Sequence, residues 1–264
     1  MKIITHNGKF HADDVCCVAI LEIINNEKVV VERTNKCPET WDRSNTIVVD
    51  LLGGDYDHHM PKENCPTYED GTHYASFGQL CKAFKIDFGK QFAEIVKKID
   101  NNDNGEGEEV NYISKAINSM NPPWNETMTD EHFMAAVELA KTLLNSVIKT
   151  SMAQAEADAI ALQAINDSGE SKIVVLPKYV PWQNIITAQT DKTVVVFESN
   201  RGGYVGQLIP VEPGSFETVA HFPKAWHGAT KENLPSGINF CHASGFMIIG
   251  ETIQDVVDAA KLAK

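Results

Sequence analysis

The apolar positions of the chain change period several times, and those changes divide it into elements. Lys2-Ile3-Ile4-Thr5-His6 is a short apolar run closed by a polar residue, the pattern of a buried strand. From Asp13 to Asn25, Val15, Val18, Ala19 and Ile23 recur at helical spacing. β-Branched runs at 28–34 and 46–50 predict two further strands, the second stopped by Gly53-Gly54. Strand, helix, strand, strand predicts an α/β fold with an open, mainly parallel sheet and flanking helices. In such sheets ligands gather beyond the carboxyl ends of the strands, where His6 and Asp50 fall.

Helical patterns then cover 74–84 and 88–99, the second running into an acidic loop, Asp100-Asn101-Asn102-Asp103-Asn104-Gly105. Asn121-Pro122-Pro123-Trp124 breaks the chain, since two prolines disfavour helix there. Alanine-rich periodicity over 130–165 predicts two helices meeting near Thr150-Ser151. Strand-like runs at 172–176, 193–198, 204–210 and 238–241, with a closing helix at 252–262, predict a smaller α+β C-terminal domain. The expected division is a catalytic domain over 1–120, then a helical connection and substrate-binding domain over 121–264.

Composition narrows the function. A chain of 264 residues accommodates two modest domains, and 43% hydrophobic with 22% charged residues excludes a largely disordered protein. The net charge of −13, with only three arginines (Arg33, Arg43, Arg201), argues against reading of a duplex groove, which rests on dense Lys and Arg contacts. A polyanion would have to be met by a local patch or by bound metal. Six cysteines without CxxC spacing, and a strand pattern from the second residue, predict reduced thiols and a cytoplasmic location. On that expectation the sequon Asn125-Glu126-Thr127 goes unused. No apolar run approaches the roughly 20 residues of a membrane helix, so no membrane partner is expected. The pattern specifies no oligomeric state.

His6, His11, Asp13, Asp50, Asp57, His58, His59, Asp100 and Asp103 all fall in segments predicted at one end of the sheet. One loop aspartate is ordinarily a turn or cap residue. Two imidazoles with four residues between them, an aspartate ending an apolar strand and an Asp-His-His triplet within the first 60 residues point instead to a metal centre. Imidazole and carboxylate donors without thiolate suit Mn, Zn, Co or Fe better than a pure Mg site. So many donors exceed the needs of one ion, and two ions bridged by a carboxylate are the usual clamp for phosphoryl hydrolysis.

Six blocks then stand out in order: His6 through Asp14; Val48-Val49-Asp50 with Gly53-Gly54; Tyr56-Asp57-His58-His59; Asp100 through Gly105; Asn121-Pro122-Pro123-Trp124-Asn125; and Phe240-Cys241-His242-Ala243-Ser244-Gly245-Phe246. Together they resemble the melanocyte proliferating gene family, within the DHH phosphoesterase superfamily. The resemblance covers nearly the whole chain. It implies a DHH-type catalytic domain, a C-terminal substrate domain, two divalent ions (Mn foremost, with Mg, Co or Zn as alternatives) and a 3′–5′ exonuclease acting on RNA or short oligonucleotides. It further implies that His6 and His11 bind one metal and Asp13 the other, with Asp50 bridging and His58 completing the second. His59 would face the scissile phosphate, with Asp57 orienting a neighbouring histidine. Asp103-Asn104-Gly105 resembles the superfamily's Asp-Thr-Gly block, which makes Asp103 the last ligand and gives Asp100 a supporting place.

Departures from the family pattern concern the substrate. The Gly-Gly turn runs straight into the triplet, Met60 replaces a glutamine, and Trp226-His227-Gly228 stands where an arginine usually offers a bidentate phosphate contact. His242, Ser244 and Gly245 are the expected substrate contacts, with Lys224, Trp226 and His227 adding a cation and a stacking face. Trp124 and Trp182, each following proline, are expected as core or hinge anchors. Two other functions share the same ligands: a small-molecule phosphatase or pyrophosphatase, and a non-catalytic, metal-dependent nucleotide-binding protein.

Overall fold

Ile3, Ile4 and Thr5 are buried on both faces of the first strand, β1 (Lys2–His6), as the unbroken apolar run requires of a central parallel strand. In the computed structural model, which describes residues 1–107, 111–189 and 191–264, β1 lies between β2 (Val30–Thr34) and β3 (Thr46–Val48), parallel to both. The chain passes from β1 to β2 through α1 (Ala12–Asn25). This helix is buried almost all round, from Ala12 to Glu22. Its end is set by Asn26 in the left-handed conformation, φ 53°. α2 (Ser76–Ala83), α3 (Lys90–Asp103) and α4 (Tyr112–Asn118) pack around α1. Phe10, Phe77, Phe92 and Phe133 fill the core they share.

Two expectations about this region change. Asp100 and Asp103 lie on the last turn of α3 rather than in a loop. Tertiary bonds to Asp100 override the poor helix propensity of the Asp-Asn run. The periodicity over 130–165 forms one helix, α5 (Asp130–Ser168), with no break at Thr150-Ser151. Both hydroxyls there are used in helix-compatible ways, Thr150 Oγ1 donating to Ser146 O and Ser151 Oγ accepting from Phe92 N.

The chain forms two compact units, Met1–Met152 and Ala153–Lys264, dividing later than the expected boundary at 120. Phe133, Ala136, Val137, Ala140, Leu144 and Ile148 of α5 belong to the first core. In the second unit, β4 (Ile173–Val175), β5 (Val194–Glu198), β6 (Tyr204–Leu208), β8 (Met247–Gly250) and β7 (Ile238–Cys241) form a mixed sheet in that spatial order. Only β4 and β5 are parallel. Alternation along β5 sends Val194 and Val196 to a cluster with α7 (Ile253–Ala260), and Val195 and Phe197 to a cluster with Ala157, Ala161 and Ala164. A four-residue helix, α6 (Gln183–Ile186), follows Trp182, which is 2% exposed and anchors the core as expected. Among the described residues no helix is long and apolar enough to cross a membrane.

Candidate metal centre

His6 closes β1, and Asp50 follows β3 after one residue, so the parallel pairing of the two strands sets both at the carboxyl edge of the sheet. Asp50 takes φ 52°, a left-handed conformation strained for a residue with a side chain. That geometry brings its two oxygens to different histidines: Oδ2 lies 3.2 Å from His6 Nε2, and Oδ1 lies 2.9 Å from His58 Nε2.

Both rings are oriented by their other nitrogen. Asn104 Nδ2 donates to His73 O, which fixes its Oδ1 toward His58, where it accepts from Nδ1 at 3.0 Å. His6 Nδ1 donates to Asn7 O at 3.0 Å. In the neutral ring each Nε2 is then a lone pair aimed at carboxylate oxygens. For His58 these belong to Asp50, Asp103 at 3.1 Å and Asp13 at 3.9 Å; for His6, to Asp50 and Asp14, each at 3.2 Å. Lone pair against carboxylate repels unless a proton or a cation stands between them. Metal-ligating histidines are held in this way, with the second nitrogen bonded to a carbonyl or carboxylate.

The ionisation states agree. Burial opposes charging of His58, yet hydrogen bonds to Asp103 and Asp50 push it up to about 12. Burial likewise opposes His6, and Asp50 with Asp14 raises it to about 9. Burial and the charges of Asp103 and Asp50 hold Asp13 well above the usual carboxylate range. Burial also pushes Asp14 up to about 7 against the pull of His6. Desolvation opposes ionisation of Asp50, but bonds from His58 and His6 keep it low. Asp14 Oδ2 is buried without a hydrogen bond. A set of acids this crowded is relieved by a divalent cation, and its oxygen and imidazole donors fit Mn, Co or Zn.

Three groups bring their ligand atoms within 4.8 Å: His6, His11 and Asp50; Asp50, His58 and His59; and Asp13, His58 and Asp103. Asp50 joins the first two and His58 the last two. His11 Nδ1 lies 3.6 Å from Asp103 Oδ1, which draws the first and third groups together. His59 Nδ1 contacts Asp57 Oδ1 at 3.1 Å, the oxygen that also accepts from His59 N. Asp57 Oδ2 is taken by Gly53 N.

Asp100 joins none of these groups. It is fully buried, with one oxygen accepting from Gly78 N at 3.0 Å and the other from Tyr68 Oη at 2.6 Å. Asp13 accepts from Ser76 N and Phe77 N. The first amides of α2 are therefore bonded by two carboxylates, one from α1 and one from α3, which complements the positive end of that helix. Asp103, by contrast, sits at a helix carboxyl end, where a negative charge is unfavourable. A cation held by the neighbouring groups would compensate it.

Several supporting residues have no role assigned to them from sequence. Asp14 follows Asp13 and accepts from His11 N at the start of α1, a position that a carboxylate three residues after a helix entry signals. Arg33 donates to His6 O and Gly8 O, and its guanidinium lies 4.5 Å from the Phe133 ring. Asn121 bonds both Phe10 N and Phe10 O with its amide. Nothing local marks Arg33, because its partners are distant in sequence.

The expected substrate contacts lie in the second unit. His242 Nδ1 and Ser244 Oγ are 2.8 Å apart and line a cavity of about 540 Å³ with Gln207, Phe216 and Phe246. Gly245 has φ +70° and no room for a Cβ, which would stand 2.0 Å from His227 Nε2. His227 Nε2 donates to Phe222 O. Trp226 is buried and stacked with Phe222, so it offers no face to a base. Lys224 is exposed. Trp124 is also not the anchor expected, being 97% exposed.

A parallel α/β sheet that delivers imidazoles and carboxylates to one edge defines a candidate divalent-metal protein. The chain belongs to the MYG1 exonuclease family, described as "Uncharacterised protein family (UPF0160)", whose sequence profile matches residues 2–263. This is the melanocyte proliferating gene family of the motif blocks. The chain is similar to the MYG1 protein of Saccharomyces cerevisiae, with 26% identity across 99% of this chain and 95% of that one. It is also similar to the proteins named MYG1 exonuclease in Rattus norvegicus and Homo sapiens, each 28% identical over 93% of this chain and 80% and 81% of theirs. No solved structure matches the chain at a significant level.

Proposed function

We propose that this protein is a metal-dependent phosphodiesterase of the DHH type that removes nucleotides from the 3′ end of RNA or short oligonucleotides, using two divalent ions, manganese foremost. The observation that carries the reading is the pair of imidazoles held with Nε2 aimed at one shared carboxylate, Asp50. The name exonuclease carried by similar proteins supplies the reaction class. His6, His11 and Asp50 would hold one ion, and Asp13, His58 and Asp103 the other, with Asp50 common to both. Divalent ions held by these residues would supply Lewis-acid polarisation of a phosphoryl oxygen and a water of lowered pKa.

The chain's own residues do the rest. Asn104 and Asn7 fix the tautomers of His58 and His6. Asp57 accepts from His59 Nδ1 and orients that half-exposed ring, whose Nε2 would have to carry its own proton, as in the imidazolium, to donate to a phosphate oxygen. His59 and Lys9 line a cavity of about 510 Å³ with His6, His11 and Asp50, so substrate reaches the ligands from that side.

The test is incubation with Mn and labelled RNA, DNA, dinucleotide and pyrophosphate, beside a His58→Ala control. Stepwise shortening from the 3′ end, lost in the control, is the expected result. Phosphate release from small substrates alone would make the protein a phosphatase. Equal behaviour of wild type and control on every substrate overturns both enzymatic readings.

A further inference from the structure

Trp124 has no structural employment. It is 97% exposed, and it is carried at a turn in which Glu126 N donates to Pro123 O. Pro122 and Pro123 before it fix two backbone φ angles and stiffen the approach. Tryptophan is enriched at surfaces that bind something. Trp124, Pro122, Pro123, Lys9, Asn121 and Glu126 line a groove of about 440 Å³.

Two residues tie this groove to the metal centre. Lys9 lines both the groove and the cavity that contains His6, His11, Asp50 and His59. Asn121 lines the groove while its side chain grips the backbone of Phe10, the residue before His11. The ligand loop and the tryptophan turn are thus bonded to each other within the first unit.

From this we infer that Trp124 is the stacking platform for the nucleobase adjoining the scissile phosphodiester, with Lys9 meeting a phosphate between platform and metal ligands; the inference rests on the phosphodiesterase reading above. The chemistry of the groove favours a nucleoside over a second phosphate. Glu126 would repel an anion, whereas it can accept from a base amine or sugar hydroxyl. Stacking suits an enzyme that must accept any base, because every base has a π face.

The test has two readouts. Intrinsic fluorescence is followed with AMP and with ribose 5-phosphate, in wild type and in Trp124→Phe. Quenching by AMP alone, absent in the variant, is expected. Equal quenching by ribose 5-phosphate, persistence of the AMP signal in Trp124→Phe, or no AMP response overturns the inference. Separately, kcat/KM is compared for oligonucleotides lacking the base at the last or the penultimate position. Wild type should lose at least roughly fivefold when one of these bases is removed, the lower end of what one stacked base contributes. Trp124→Ala should lose that discrimination, and full discrimination in the variant refutes the platform. If no oligonucleotide is cleaved while AMP quenches Trp124 specifically, the base site stands and the phosphodiesterase reading fails.

Discussion

Replacing Gly78 by alanine tests the packing behind the acidic side of the centre. In an exposed helix the change stabilises by about 1 kcal/mol. Here the sign reverses, because a Cβ would stand 1.8 Å from Asp100 Oδ2 and 2.7 Å from the Tyr68 hydroxyl. Asp100 has nowhere to go: it is fully buried and bonded to Gly78 N at 3.0 Å and to Tyr68 at 2.6 Å. Forced repacking costs about 1–3 kcal/mol, and a buried hydrogen-bonding group left unsatisfied costs roughly 1–3 kcal/mol. Less the gain in helix propensity, the net destabilisation is about 1–5 kcal/mol. For a unit of this size that lowers Tm by on the order of 10 °C. Because Ser76 and Phe77 hold Asp13 from the same turn, Mn affinity should fall by roughly 10–100-fold. Circular dichroism melts and calorimetric Mn titration measure the two effects. Gly78→Ala/Asp100→Ala, which removes the oxygen the methyl strikes, should melt no lower than Asp100→Ala. Gly78→Ala melting at or above wild type would refute the reasoning.

Two further outcomes follow from other contacts. Arg33, whose side chain is 3% exposed, donates to two carbonyls of the ligand loop and stacks near Phe133. A lysine cannot reproduce that planar fork, so Arg33→Lys should cost about 2–4 kcal/mol in urea unfolding and weaken Mn binding. Desolvation opposes ionisation of Glu106, yet bonds from His73 and Lys62 depress its carboxyl to about 2. A depressed acid contributes stability that is full above its unfolded value, near 4.5, and is lost as pH falls toward 2. Glu106→Gln should therefore be less stable than wild type at pH 6, with the gap closing between pH 4.5 and 2.5; a constant gap across melts in that range contradicts the assignment.

The legible parts of the molecule were those whose information is local. β1 and α1 follow from the periods of their apolar residues, and Asp50 is found because it ends an apolar strand. The types and spacing of His6, His11 and His58 announce a cation before any geometry is known. What escaped depends on partners far along the chain. Asp100 and Asp103 read as loop because Asp and Asn are poor helix formers, and only Gly78 N and Tyr68 explain why the helix continues through them. Thr150 and Ser151 looked like a break because nothing local reveals that the Ser151 hydroxyl serves Phe92 N. α4 is short, and β8, which none of the predicted strand-like runs covers, is a strand paired with both β6 and β7. Trp124 and Trp182 share a preceding proline and opposite fates.

The clamp between Asn121 and Phe10 spans 111 residues, and the amides that hold Asp13 lie 63 and 64 residues beyond it. Order of synthesis therefore matters to this protein. The chain leaves the ribosome at roughly 5–20 residues per second, so the first histidines wait several seconds for the residues that space them. A nascent chain that stops after Asp103 already carries every proposed ligand, yet still lacks the amide that closes the loop bearing two of them.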